Sequence, residues 1–355
     1  MPTIITKDSL RAAVEAATGG QCTVLYDSKG FANYMRIIPK FRCEDISANL
    51  GTGVHPAFIV GGVEKSEIFI GQYNAVNMDG FGVSQPGMAP YVSINFDNAK
   101  LACTNKGAGW HLMSNWEWAA VALWCIKNGM PLVRGNTYYG QSHAQPFETG
   151  RRCDSGTPGN TSGAWPAILN GSGPASWRHD NSFAGISDLV GNIWEWQDGM
   201  KLVDGVIKMP ADNNFTLAEA SWPDTLARVA SAVAGTANAA TGALVLTETA
   251  IADVNRGPAL NQAAWNTTVA TGLTTSSVAL KMKQALLAPY DTPANMGNVS
   301  GYIYANNVNA PSFEALPIRG GNWLNTSACG LAALSLVYQR SSVYSTFGFR
   351  PAFIG

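Results

Sequence analysis

Two rigid phrases near the carboxyl end constrain this chain more than any other feature. They are Arg319-Gly320-Gly321-Asn322-Trp323 and Gly348-Phe349-Arg350-Pro351-Ala352-Phe353. Paired glycines let one backbone run close against another, and the large rings beside them dictate which face turns inward. Between the phrases stand Leu324, Ala328, Ser335, Val337, Tyr338, Ser342, Tyr344, Ser345 and Thr346, which share no chemistry. A specified frame around unspecified contents is the pattern of a display surface.

Strand periodicity divides this segment in the same way. Over Ala333–Val337 alternate side chains point to opposite faces, so Leu334 and Leu336 are expected inward and Ala333, Ser335 and Val337 outward. Tyr338 ends the strand, and Ser342 and Tyr344–Thr346 fall in the following loop. An exposed group of Tyr, Ser, Val and Thr has the composition of an antibody paratope, in which Tyr supplies contact area at low entropy cost and Ser supplies adaptable hydrogen bonds. On this reading, replacing Tyr338 and Tyr344 by Ala leaves the melting temperature nearly unchanged while abolishing target binding.

Charge narrows the partners. Charged residues make up 13% of the 355, about half the usual share of roughly 25%, so the surface is mostly Ser, Thr, Asn, Gly and aromatic. A net charge of -1 offers no attraction to phosphate backbones or anionic lipid, which argues against nucleic-acid binding. No apolar run reaches the roughly 18 residues of a membrane span. The stretch Met1-Pro2-Thr3-Ile4-Ile5-Thr6-Lys7-Asp8 lacks the apolar core of a secretory signal, so a soluble product is expected, with surface display only by another export route. The six cysteines, Cys22, Cys43, Cys103, Cys125, Cys153 and Cys329, show no C-x-x-C spacing. That is no zinc-ribbon or thioredoxin pattern, and Cys125 within an apolar helical run reads as a buried thiol.

Along the chain, residues 7–17 read as a helix capped near Thr6 or Asp8 and stopped by Gly19-Gly20. Cys22–Tyr26 and Tyr34–Ile38 read as two strands; with them, residues 1–50 are expected to form a small N-terminal α/β segment or arm. Ala57–Val60 and Glu67–Tyr73 are strand-like, and Ser93–Thr104 is a candidate helix. The clearest helix follows Ser114, which forms a capping box with Glu117 and is closed by Gly129. Residues 130–187 are rich in Gly, Ser and Asn and poor in strand. Asp188–Trp196 reads as a compact strand, residues 211–315 as an Ala/Thr/Asn-rich insert with a helix over Val278–Leu287, and Ala333–Tyr338 and Gly348–Phe353 as the last strands.

Several phrases together resemble one family: His55-Pro56-Ala57-Phe58, Gly109-Trp110-His111-Leu112, Asn115-Trp116-Glu117-Trp118, Arg134-Gly135-Asn136, Asp188-Leu189-Val190-Gly191-Asn192-Ile193-Trp194-Glu195-Trp196 and the two carboxyl-terminal phrases. The chain resembles the formylglycine-generating-enzyme (sulfatase-modifying factor) branch of the C-type lectin fold over roughly residues 51–210 and 316–355. The resemblance implies an α+β, loop-rich domain over 51–355 with short antiparallel strands and two main helices. Gly191-Asn192 suits a tight turn with positive φ, and eleven tryptophans supply the core that a loop-rich fold needs.

Catalytic members of that family hold copper with a cysteine pair near the carboxyl end, where this chain has only Cys329. A related iron-dependent branch needs clustered histidines, and His55, His111, His143 and His179 lie far apart. The carboxyl-terminal segment is instead similar to the variable region, here about 319–350, of proteins diversified by diversity-generating retroelements. In those proteins adenine mutation of Asn codons yields Leu, Ala, Ser, Val, Tyr or Thr. The variable positions named above all belong to that set, Asn325 would be an unmutated target, and Gly330-Leu331, Ala333-Leu334, Leu336 and Arg340-Ser341 match the frame.

The resemblance thus implies a non-enzymatic, receptor- or ligand-binding surface made of Leu324, Asn325, Ala328, Ser335, Val337, Tyr338, Ser342, Tyr344, Ser345 and Thr346. The partner would be a macromolecule, protein or glycan, and the setting a phage or prophage product, virion-associated or cytoplasmic. No cofactor is expected; C-type lectins leave room for structural calcium, but no dense Asp/Asn cluster names its ligands. The alternatives are a metal-dependent oxidase of the same fold and an undiversified structural or carbohydrate-binding virion protein. Among single residues, Trp194, Trp196 and Trp323 are expected in the core, His111 as a hydrogen-bonded core histidine, His179-Asp180 in a loop, and Arg340 and Arg350 as structural cations.

Overall fold

The helix Asn115–Lys127 forms where the capping box placed it. Ser114 Oγ accepts from Glu117 N at 3.2 Å, and the Glu117 carboxylate accepts from Ser114 N at 2.8 Å. Gly129 closes the helix at φ 74°. Its residues are apolar almost all round, and from Asn115 to Leu123 each is buried; a helix of that kind belongs inside a protein. The computed structural model describes residues 8–262, 265, 270–310 and 313–355. Other α-helices among them span Ser9–Ala17, Cys43–Ile46, Phe96–Thr104 and Ser276–Gln284. Asp8 caps the first through its side chain; the other candidate cap, Thr6, lies outside the described residues.

Two sheets carry the architecture, which is mixed α and β with few helices. A five-stranded sheet runs in the order Cys22–Tyr26, Ala32–Pro39, Glu67–Gly71, Pro351–Phe353, Trp110–Leu112. Residues 1–50, expected as a small α/β segment or arm, contribute a hairpin to a sheet that also holds the carboxyl-terminal strand. Ile37 and Ile38 pair with Phe69 and Ile68, and Ala352 pairs with Ile70. The period-2 pattern of the hairpin and the strand Glu67–Gly71 beside it were legible; the pairing of Glu67–Gly71 with the distant Pro351–Phe353 was not.

The second sheet has twelve strands among the described residues. From one edge it runs Glu314–Ala315, Lys201–Val203, Val206–Lys208, Asp224–Ser231, Thr241–Thr247, Ala259–Gln262, Ile303–Ala305, Gly330–Leu336, Ile318–Gly320, Trp194–Trp196 and Phe347–Phe349, with Ala270–Gly272 pairing beside Thr241–Thr247. The 211–315 insert is thus continuous with the carboxyl-terminal strands. Its strand Ile303–Ala305 lies parallel to Gly330–Leu336, and Phe347–Phe349 lies parallel to Trp194–Trp196, so the strands are not all antiparallel as expected.

Several shorter expectations are also revised. Ala57–Val60 is a 3-10 turn, Pro56–Phe58, followed by the two-residue strand Ile59–Val60. The helix expected from Ser93 begins at Phe96, behind its Asn95 cap. In Asp188–Trp196 only Trp194–Trp196 is strand, because Asp188, Gly191 and Asn192 all take positive φ.

The frame phrases are buried and locked. Gly320 has φ 92°, and a Cβ there would lie 2.4 Å from Leu189 O, so the backbone passes where no side chain fits. Trp118 Nε1 donates to Leu331 O at 2.8 Å. Arg319, fully buried, donates from Nε and Nη2 to Asn115 Oδ1 at 2.9 and 2.8 Å. Arg350 forms a fork on Glu195, Nε to Oε2 at 2.9 Å and Nη2 to Oε1 at 2.7 Å, with neither residue exposed. Its remaining donors reach Gly71 O and Ser187 O. Arg350 stands between a strand of the large sheet and a strand of the small one, so this ion pair ties the two together.

Candidate functional site

The strand Gly330–Leu336 lies inside the large sheet, flanked by Ile303–Ala305 and Ile318–Gly320. Leu331, Leu334 and Leu336 pack in the main core. Ala333 faces the other way, into a second cluster with Trp194, Trp196, Phe347 and Phe349. Both faces are therefore covered, and every residue of the strand is buried. Ser335, expected outward, is only 3% exposed, and Ala328 is 9% exposed in the turn Thr326–Ala328. Periodicity chose the inward leucines correctly but could not show a second layer over the opposite face.

The other positions stay accessible. Leu324, Tyr344 and Ser345 are exposed; Asn325, Val337, Tyr338, Ser342 and Thr346 are half-buried. Tyr338 and Tyr344 are neighbours, with ring centroids 5.5 Å apart, and both rest on Phe347, at 4.6 and 4.8 Å. The loop that carries them is pinned by its backbone: Leu316 N donates to Tyr338 O, Ser93 N to Tyr344 O and Trp194 N to Thr346 O. Arg340 holds the same loop from its side chain, reaching Glu314, Asp97 and Glu219 at 2.7, 2.5 and 2.6 Å. Burial works against its charge, yet these three carboxylates leave its pKa raised.

Asn325, Ser335, Val337 and Tyr338 share one cleft of about 430 Å3. Its other wall is Trp194 together with Pro258–Asn261 and Tyr304 from the insert. Sheet register explains the meeting: Asn261 stands opposite Tyr304, and Tyr304 opposite Ser335. Cross-strand partners share a face, so the three side chains form a row across three adjacent strands. Sequence reasoning missed Tyr304 and Asn261. The alternation Tyr302-Ile303-Tyr304-Ala305, apolar inward and aromatic outward, was the available trace of a half-exposed strand.

A second cavity, of about 310 Å3, is lined by Thr137, His143, Ser327 and Cys329 among others. Cys329 is a poor nucleophile there. Its thiol is buried, donates to Asn322 O at 3.3 Å, and has its pKa pushed up by burial, which keeps it protonated at neutral pH. His143 Nδ1 lies 2.8 Å from Thr137 Oγ1. The remaining histidines are built into the core: His111 bonds Glu117 Oε1 at 2.8 Å, His55 Nδ1 accepts from Ala57 N, and His179 Nδ1 accepts from Ile186 N. Among the described residues, no three His, Cys, Asp or Glu side chains come together to hold a metal ion, all six cysteines are free thiols, and no helix is long and apolar enough to cross a membrane.

No family model and no curated protein sequence matches the chain. Among solved structures it is similar to Treponema denticola variable protein 1, at 11% identity and a TM-score of 0.34, over 94% of this chain and 98% of that one. It is also similar to the P3c and U1 variants of Major Tropism Determinant, each at 14% identity over 94% of this chain and 71% of theirs, with TM-scores of 0.30 and 0.31. Likeness this distant carries no functional assignment.

Proposed function

We propose that this is a non-enzymatic binding protein that presents its carboxyl-terminal residues on a C-type lectin scaffold of the formylglycine-generating-enzyme type. The reading rests on one observation above all. Positions of unrelated chemistry, Asn325, Ser335, Val337 and Tyr338, line a single cleft, with the exposed Tyr344 ring packed beside Tyr338. The frame phrases around them are buried and hydrogen-bonded. Contents can then change while the frame stays, since substitutions away from buried features usually alter stability by no more than about 0.5 kcal/mol. Ala328 and Ser335 are the tight positions and accept only small residues on this geometry.

Binding would draw on aromatic anchors, Tyr338 and Tyr344, ringed by small polar groups. The partner is a receptor or surface ligand, and a phage- or prophage-encoded role in attachment suits it. An oxidase of the same fold draws no support from the buried, neutral Cys329 thiol.

The deciding observation is genetic. A near-copy of the codons for residues 319–350, differing chiefly at adenines and lying beside a reverse-transcriptase gene, is expected. Codons for 319–350 that never vary among sibling isolates would overturn the diversified reading.

A further inference from the structure

The cleft is half made by the insert, and its chemistry is uniform. Trp194, Tyr304 and Tyr338 supply rings, Asn261 and Asn325 amides, and Ser335 a hydroxyl; none of the side chains lining it carries a charge. Several of these polar groups are unspent. Asn325 Oδ1 accepts from Asn322 N at 2.9 Å, whereas its amide nitrogen, the Ser335 hydroxyl and the phenols of Tyr304 and Tyr338 have no hydrogen-bond partner among the described residues. A hydroxyl without a protein partner in the lining of a cleft is open to a ligand or to water. The volume falls in the range of about 300–1,000 Å3 typical of small-ligand sites rather than of a flat protein face.

We propose that this cleft is a composite site for a neutral oligosaccharide, with Tyr304 and Asn261 of the insert acting as fixed specificity residues opposite the changeable Val337 and Tyr338. This rests on the reading of the carboxyl-terminal surface as a binding site. The C–H face of a pyranose is apolar and lies flat against a phenol ring, while its hydroxyls both donate and accept, as amides and phenols require. An anionic or cationic ligand would find no countercharge here. The row Asn261–Tyr304–Ser335 is set by strand register, so the insert half of the site stays in place when the other half changes.

The test uses the full chain and a printed array of neutral oligosaccharides, with titration calorimetry on any that bind. Expected is binding that hardly changes between 50 and 500 mM salt, is weakened about tenfold or more by Tyr304→Ala or Asn261→Ala, and is abolished by Val337→Lys, which fills the cleft. Tyr304→Phe serves as the folding control and should melt like the parent. No bound saccharide, together with Val337-dependent capture of a deglycosylated envelope protein, overturns the saccharide proposal and leaves the display reading standing. Saccharide binding untouched by Tyr304→Ala and Asn261→Ala overturns the composite site, and binding also untouched by Val337→Lys sinks both.

Discussion

At the scale of single residues, Tyr338 and Tyr344 have different duties. Tyr338 is half-buried against the second core cluster, whereas Tyr344 is 51% exposed. Tyr338→Ala is therefore expected to cost about 1–3 kcal/mol, and Tyr344→Ala under about 1 kcal/mol, in urea denaturation. The half-burial of Tyr338 separates two rings that the sequence treated alike. His55 carries a pH prediction. Its ring is fully buried, Nδ1 accepts from Ala57 N, and Nε2 donates to Gln284 O at 3.1 Å. A second proton would face an N–H donor, and burial lowers the pKa to about 4. His179 is likewise lowered by burial, to about 3. A base whose folded pKa is depressed contributes stability above its unfolded value of about 6.5 and loses it as pH falls toward the folded value. His111 does not mask this: burial opposes its charge, but Glu117 raises its pKa overall, so its contribution is in place below the unfolded value of about 6.5 and does not change through that window. The buried carboxyls Asp188, Glu195 and Asp198, raised by burial, act in the opposite sense, so the test is a difference: between pH 6.5 and 4.5 the melting temperature of His55→Gln should change less steeply in the destabilising direction than that of the parent.

At the scale of elements, the loop after Tyr338 is held by Arg340 in three carboxylates drawn from different parts of the chain: Asp97 near the start of the helix Phe96–Thr104, Glu219 of a 3-10 turn and Glu314 of an edge strand. Removing a fork of charge-assisted bonds that is only partly exposed costs about 2 kcal/mol. Arg340→Ala should speed amide exchange across Ser342–Phe347 and weaken binding, and Arg340→Lys should fall between, since an ammonium cannot span three acceptors in a plane. The helix Asn115–Lys127 was the most legible element, because Ser114 and Gly129 announce its ends locally. The strands were less so. Ala333–Val337 showed its alternation, but alternation cannot tell an edge strand from an interior one, and here the neighbours Ile303–Ala305 and Ile318–Gly320 made it interior.

At the scale of the molecule, the two sheets meet at the buried Glu195–Arg350 pair. Glu195 sits in Trp194–Trp196, and Arg350 between Phe347–Phe349 and Pro351–Phe353. Burial raises the Glu195 pKa against the pull of Arg350, so the pair survives only because each partner satisfies the other. Glu195→Ala should cost about 3–5 kcal/mol by leaving a buried guanidinium unpaired. Adding Arg350→Met should recover part of that loss, which equilibrium unfolding of the single and double variants will read.

Local pattern was enough to set the ends of the helix Asn115–Lys127, the inward leucines, the tryptophan core and the structural roles of Arg340 and Arg350. Each depends on residues close in sequence, where capping, turn conformation and strand alternation act. The second layer that buries Ser335, the gathering of the amino-terminal hairpin and the final strand on either side of Glu67–Gly71, and the insert wall of the cleft emerged only on folding. Those depend on which strand edges pair across long stretches of chain, and a backbone edge offers the same N–H and C=O groups whatever its side chains spell.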